Sequence, residues 1–296
     1  MQSQAQTLNR GFVSRVTRGR PWARMKIAAS LDGRTALHNG QSQWITGAAA
    51  RDDGHHWRAR ACAVLTGIGT VKDDDPQLNV RAVDTSRQPL RIVIDSRLET
   101  PPEARILEGG NVLIACAVED KERAARLSAK GAEIVVIPNA AGKVELPQLM
   151  RELARREINE LHIEAGNKLN GSLINEGCVD ELLLYLAPSL LGDRAQGMAN
   201  LPELNDLAQR RRVIAGGSAQ QGEGRRPEVA HRRALAKEFG VAVVAQLWPE
   251  LAAGMLLQQR DDAGFRRARR HRRAHHHRVR PGLGRDRPAE IGRAHV

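Results

Sequence analysis

The chain has 296 residues, enough to bury a full core in one or two domains. Its formal charge of +12 sits at one end: residues 1–209 carry 26 basic and 26 acidic side chains, while residues 210–296 carry 20 and 8. The high isoelectric point therefore says little about the body, which is neutral.

Three separated cysteines, Cys62, Cys116 and Cys178, form no CxxC pair and suit buried free thiols in a reducing cytoplasm. Met1–Arg20 is polar and lacks the apolar run of a signal peptide. The most apolar stretch of the tail, Val241–Leu257, is broken by Pro249 and Glu250 and is too short to span a bilayer. A soluble cytoplasmic protein with no membrane contact is expected.

In chain order, Pro21 to about Leu201 alternates short β-like runs with helical ones. The strand candidates are Trp22–Ala29, Ala61–Gly67, Leu90–Asp95, Val112–Cys116, Glu133–Ile137, Glu160–Ala165 and Glu181–Ala187. The helical candidates are about Gly47–Arg60, Asp120–Ala129, Leu146–Arg156 and Asn167–Glu176. Thr46 is placed to cap the first of these helices, and Gly177 to end the last. Such alternation predicts an α/β domain with a mostly parallel sheet and helices on both faces.

From residue 210 the chain is rich in Arg, Ala, Gly and His, and strand formers come only in brief clusters. Runs such as Phe265–Arg273 and His275–Arg278 alternate with pieces bearing Gly and Pro. An irregular basic tail is expected, disordered or read out of frame beyond about Gln209, since shifted GC-rich codons yield mainly these residue types. His271 and His275–His277 stand among arginines that repel a cation, so no metal site is expected. The arginines lack aromatic interleaving, so no specific nucleic-acid site is expected either.

Three segments of the body concentrate polar residues. Met25–Thr46 (MKIAASLDGRTALHNGQSQWIT) joins a half-buried strand to a polar loop. Within it Lys26 shares the polar strand face with Arg24, and Trp44 offers a flat ring to a core or to a ligand. Thr66–Arg81 (TGIGTVKDDDPQLNVR) reads by composition as a solvated acidic turn before Pro76. Glu164–Ser172 (EAGNKLNGS) follows a strand, contains Gly166 and opens a helix, whose unpaired N–H groups and positive dipole end favour an anion. Its spacing is not GxGxxG, so no Rossmann assignment follows. His162–Glu164 is an HxE tripeptide with no PCxxC after it; it lies in a strand-like run and reads as structure rather than a zinc site.

Nearly residue for residue, the first segment resembles the reductase domain of bacterial riboflavin biosynthesis, the RibD/RibG type. SLDGR and SQWIT at this separation carry the likeness, with TxxxDDPxLxxR and EAGxxLxGxL in the other two segments. The resemblance implies a dihydrofolate-reductase-like fold over residues 21–209, with residues 1–20 the remnant of a linker and no deaminase activity in this polypeptide. It implies a homodimer that uses NADPH to reduce 5-amino-6-(5-phosphoribosylamino)uracil to its ribitylamino form.

It places Ser42, Arg58, Leu78, Arg81 and Glu164 against the substrate, with Arg81 able to grip phosphate in a bidentate fork. It places Ala28 (through its backbone), Trp44, Thr70, Asp74, Ser96, Gly166, Asn167, Lys168, Leu169, Asn170, Gly171 and Ser172 against the cofactor. Arg97 is added as a partner for a 2′-phosphate. Hydride attack on C1′ is assisted by protonating the ring oxygen or imine nitrogen, and Lys26, Asp74 and Glu164 are the candidate catalytic groups.

Members of this family end, after the counterpart of Leu190–Gly192, with a short helix and a hairpin that completes the sheet; no such hairpin is legible here. Its absence would leave an open sheet edge. Three alternatives therefore stand beside the reductase: an inactive truncated fragment of it, a nucleic-acid-binding protein acting through its tail, and a reductase of the same superfamily with another pterin- or pyrimidine-like substrate.

Overall fold

The computed structural model describes residues 8–215 and 241–247, all within one compact unit of residues 1–248. The tail histidines and the arginine runs at 265–273 and 275–278 lie outside the described residues. In chain order the elements are α1 Arg10–Arg18, β1 Trp22–Ser30, β2 Arg34–Ala36, α2 Ala48–Arg60, β3 Ala63–Gly67, α3 Ile68–Asp74, β4 Leu90–Ile94 and β5 Val112–Cys116. Then follow α4 Lys121–Ser128, β6 Ala132–Val136, α5 Leu146–Arg155, β7 Glu160–Ile163, α6 Asn167–Asn175, β8 Glu181–Ala187, β9 Gln196–Gly197, β10 Val213–Ala215 and β11 Val241–Leu247. Every strand and helix expected from the sequence forms.

The main sheet has the order β10-β11-β8-β1-β7-β3-β4-β5-β6. From β8 to β6 all neighbours are parallel. One face is apolar: Ala23, Met25 and Ile27 of β1 lie beside Leu161 and Ile163 of β7 and Ala63 and Leu65 of β3, and pack under Leu149, Met150 and Leu153 of α5 and Leu173 of α6. The other face differs along its width. Val64, Val93 and Ile114 form a second apolar core, and Trp57 of α2 packs with Leu183 and Tyr185 of β8. Between them the strands carry Arg24, Lys26, His162 and Glu164.

Two expectations are corrected. Thr46 does not cap α2: its N-cap is Gly47, with no side-chain cap bond, whereas Gly177 does take the left-handed conformation (φ 67°) after α6. The hairpin judged missing is present. β11 runs antiparallel along β8, from Val241 beside Leu186 to Gln246 beside Glu181, and β10 pairs antiparallel with β11. Hairpin connections are usually two to five residues, and the 25 residues between these strands hide their relationship in the sequence. β8 is therefore an interior strand.

Residues 1–20, expected as linker, hold the docked helix α1 from residue 10. Gly11 permits the approach, since a Cβ there would lie 2.7 Å from Asn159 O. Arginines then fasten the segment: Arg10 to Glu181 at 2.8 Å, and Arg18 and Arg20 to Asp180 at 2.8 and 2.6 Å. Glu181 also accepts from Trp22 Nε1 (2.9 Å) and from the buried Arg24 (3.1 Å), whose guanidinium lies 4.0 Å from the centre of the Trp57 ring. Removing one member of a buried pair strands the other. Glu181→Ala is expected to cost about 3 kcal/mol in a denaturant titration.

Candidate functional site

The strip of charge on the second sheet face runs to the C-terminal ends of β1, β7 and β3, which border the candidate cleft. Glu164, the residue after β7, keeps the strand's register by donating its N–H to Leu65 O at 2.8 Å. Its side chain points under α2, where Arg58 grips both carboxylate oxygens (Nε–Oε1 2.5 Å, a second N–H to Oε2 3.0 Å). Lys26 Nζ lies 3.9 Å from Oε2 and 5.8 Å from the centre of the Tyr185 ring. Tyr185 and Trp57 both donate to Asp53, which fixes α2 over this face.

Burial alone would push the Glu164 carboxyl upward. The Arg58 charge, the His162 ring facing it at 3.5 Å, the Arg58 hydrogen bonds and then Lys26 hold it well below the usual carboxylate range. Glu164 is thus an anion at neutral pH.

The second wall is joined to the first through Asn79, whose carbonyl accepts from Arg58 (3.2 Å) and whose side-chain oxygen accepts from Arg81 (3.0 Å). Its first half is not a loop but the short helix α3. Asp74, at the end of α3, is desolvated in part and lies beside Asp73, and both effects raise its pKa; a hydrogen bond with Gln43 works the other way. Gln43 of the SQWIT segment therefore stands close to the end of α3. Leu78 has φ 49° and is buried in the second core, so it offers backbone rather than side chain to the cleft.

The third wall is the start of α6. Its N-cap, Gly166, is extended and gives no side-chain cap, so the first N–H groups of the helix face the cleft unpaired by any cap. A Cβ on Gly166 would stand 3.9 Å from Thr70 Oγ1, and one on Gly67 only 2.9 Å from Leu169 Cδ2, which brings the walls into contact. Asn170, Gly171 and Ser172 are engaged away from the opening. Asn170 donates to Met198 O at 3.0 Å, Ser172 bonds back to Lys168 O at 3.3 Å, and a Cβ on Gly171 would collide with Asn200 O.

The remaining predicted residues lie around this centre. Ser42 is half-buried, Trp44 is 72% exposed with the Arg51 guanidinium 4.5 Å from its ring centre, and Ala28 sits on β1 beside Tyr185. Ser96, beyond β4 and two strands from β7, accepts from Val144 N at 3.2 Å, and Arg97 is exposed near Glu99.

Three residues at the site carry no site role in the sequence reading, His162 being read there as structure. His55, a turn before Arg58, is buried with Nδ1 unpartnered; burial first and the Arg58 and Arg81 charges next lower its pKa. Thr66 follows Val64 on the same face with its hydroxyl buried and unpartnered. His162 lies beneath Glu164. Only the i, i+3 spacing of His55 and Arg58 was legible beforehand. No cluster of three or more His, Cys, Asp or Glu that could hold a metal occurs among the described residues.

Residues 21–219 match the family model described as the RibD C-terminal domain. The chain belongs to that family. The riboflavin biosynthesis protein RibD of Escherichia coli K12 is 41% identical over 221 residues, covering 70% of this chain and 59% of that protein. Its Haemophilus influenzae counterpart is 39% identical over 220 residues, with 70% and 58% covered. Among solved structures, Acinetobacter baumannii RibD (form 2) superposes with a TM-score of 0.68 at 33% identity, over 82% of this chain and 62% of that one. The chain thus spans less than two thirds of the length of these RibD relatives.

Because Glu164 has a depressed pKa, its pairing contributes stability in full above its ordinary value of 4.5, and loses it as pH falls through the lower folded value. Arg58→Met is expected to cost about 3 kcal/mol at neutral pH, by urea titration, because it leaves a buried carboxylate unpaired. The difference from the parent should narrow at about pH 4, where the bared carboxyl takes a proton.

Proposed function

We propose that this chain carries an NADPH-dependent reductase of riboflavin biosynthesis, converting 5-amino-6-(5-phosphoribosylamino)uracil to its 5-phosphoribitylamino product. The observation that carries this reading is the convergence of Lys26, Arg58 and Glu164 at the strand ends, beside the uncapped start of α6. Membership of the RibD C-terminal domain family supports it.

The residues present fit a dinucleotide. The extended Gly166 leaves room at the helix start, where unpaired N–H groups and the positive dipole end suit a pyrophosphate, with Lys168 close by. Thr70 stands beside that opening, and in this reading Trp44 joins it in holding the cofactor. The cofactor, when bound, would supply the hydride.

The protein's own groups then hold and move a proton. Glu164, kept ionised by Arg58, orients the Lys26 ammonium. Lys26 Nζ is the donor facing the cleft and delivers a proton to the ring oxygen or imine nitrogen of the substrate as C1′ is reduced. Asp74, with its raised pKa, is the second candidate donor at the rim. Arg81, half-buried Ser42 and the backbone at Leu78 hold the phosphorylated sugar. The protein acts in the cytoplasm as a homodimer in this reading.

Purified protein given the pyrimidine substrate should oxidise NADPH and yield a product richer by two hydrogens, followed by absorbance and mass spectrometry. Lys26→Met should lower kcat about a hundredfold or more at saturating NADPH, with little change in KM for the cofactor. Unchanged rates in Lys26→Met, Asp74→Asn and Glu164→Gln would exclude this assignment of the proton donor.

A further inference from the structure

Beneath the Glu164–Arg58 pair lies a residue that the reaction scheme above does not use. We propose that His162 is a positioning residue, which holds the Glu164 carboxylate in place by donating its Nε2–H to Oε1. The inference rests on the reading that Glu164 faces the substrate.

His162 is 0% exposed in the middle of the sheet, register-paired with Arg24 on β1 and Val64 on β3. A polar ring at such a position costs free energy unless its nitrogens are used. Neither nitrogen has a formed hydrogen bond, yet a carboxylate and a guanidinium both stand close enough to act on the ring. Nε2 lies 3.5 Å from Glu164 Oε1, a few tenths of an ångström beyond a good bond. On the neighbouring strand, the Nε–H of Arg24 is a buried donor that also lacks a partner.

These surroundings select one tautomer. A carboxylate only accepts and a guanidinium only donates. A neutral ring with its proton on Nε2 therefore suits both neighbours, giving to Glu164 and leaving Nδ1 as acceptor toward Arg24. The opposite tautomer would set a lone pair against the carboxylate and an N–H against the guanidinium. A doubly protonated ring is opposed by burial, by Arg24 and by Arg58, although Glu164 favours it.

Glu164 is faced by Lys26 from β1, by Arg58 and His55 from α2 and by His162 from its own strand. Arg58 reaches the carboxylate from α2, a separate element packed over the sheet. His162 is fixed by the strand itself, and so ties the carboxylate to the sheet. Through Arg24 the same contact reaches Glu181 and the α1 anchor.

The test is the ¹⁵N spectrum of the His162 ring in the full chain at neutral pH, its signals identified by their loss in His162→Gln. The expected result is a neutral ring protonated on Nε2, with that preference relaxed in Glu164→Gln. An Nδ1–H tautomer or a cationic ring would overturn the proposal. In turnover, His162→Leu should lower kcat about tenfold with KM for NADPH unchanged. His162→Gln, whose amide can reach the Nε2 position, should stay within about twofold of the parent. If His162→Leu does not fold, His162→Asn, whose amide stands at the Nδ1 position, takes its place with the same expected loss. Equal kcat in parent, Gln and the folded Leu or Asn variant would also overturn it. A parent that turns over no substrate while its ring shows the Nε2–H tautomer would refute the reductase reading and leave the contact standing.

Discussion

Charge buried on a sheet face must be balanced where it lies, and that requirement organises this molecule. The face under α2 carries Arg24, Lys26, Glu164 and Glu181, charges that cost several kcal/mol each if left unpaired in the interior. Their partners come from helices: Arg58 from α2 for Glu164, and Arg10 from α1 for Glu181. Neither helix can slide without baring a charge. The cleft floor is thus positioned by electrostatic necessity, while the opposite face is held by ordinary apolar packing under α5 and α6.

The most recognisable residues of the chain are not the ones nearest the chemistry. In SLDGR, Ser30 bonds Asp32, whose carboxylate accepts from the N–H groups of Leu191 and Gly192, and Arg34 reaches Ala195 O. The hydrogen bond from Ser30, with those from the Gly192 and Leu191 backbone, lowers the Asp32 pKa to about 2. Gly33 adopts φ 74°, a turn that side chains resist. This motif is a clamp between the end of β1 and the chain after β8. It shapes the rim of the cleft without entering it.

Most of the parallel sheet was legible because its strands are continuous apolar runs, separated by amphipathic helices with glycine stops. The three polar segments were legible as walls. Other features were hidden for distinct reasons. The α1 helix exposes Phe12 and Val16 and docks through arginines, so its pattern reads as linker. β10 and β11 are separated by a long polar connection. His55, Thr66 and His162 owe their character to neighbours supplied by other elements, and no local pattern announces them. Leu78 fits the family pattern, yet only the structure shows its side chain turned into the core.

The start of α6 is clasped mostly through main-chain groups of the 198–200 segment, with the Asn170 side chain donating to one of them. Asn200 donates its N–H to Asn167 O at 2.9 Å, and Gly171 allows the two backbones to meet. A clasp of this kind specifies a path and almost no letters. Met198 and Ala199 of this segment also rest on the core, so both its path and its apolar surface are constrained, and insertion or deletion of a single residue there would dislodge the start of the helix. Here the length of the connection is the tighter constraint, whereas at Glu164 and Arg58 it is the chemistry of the side chains.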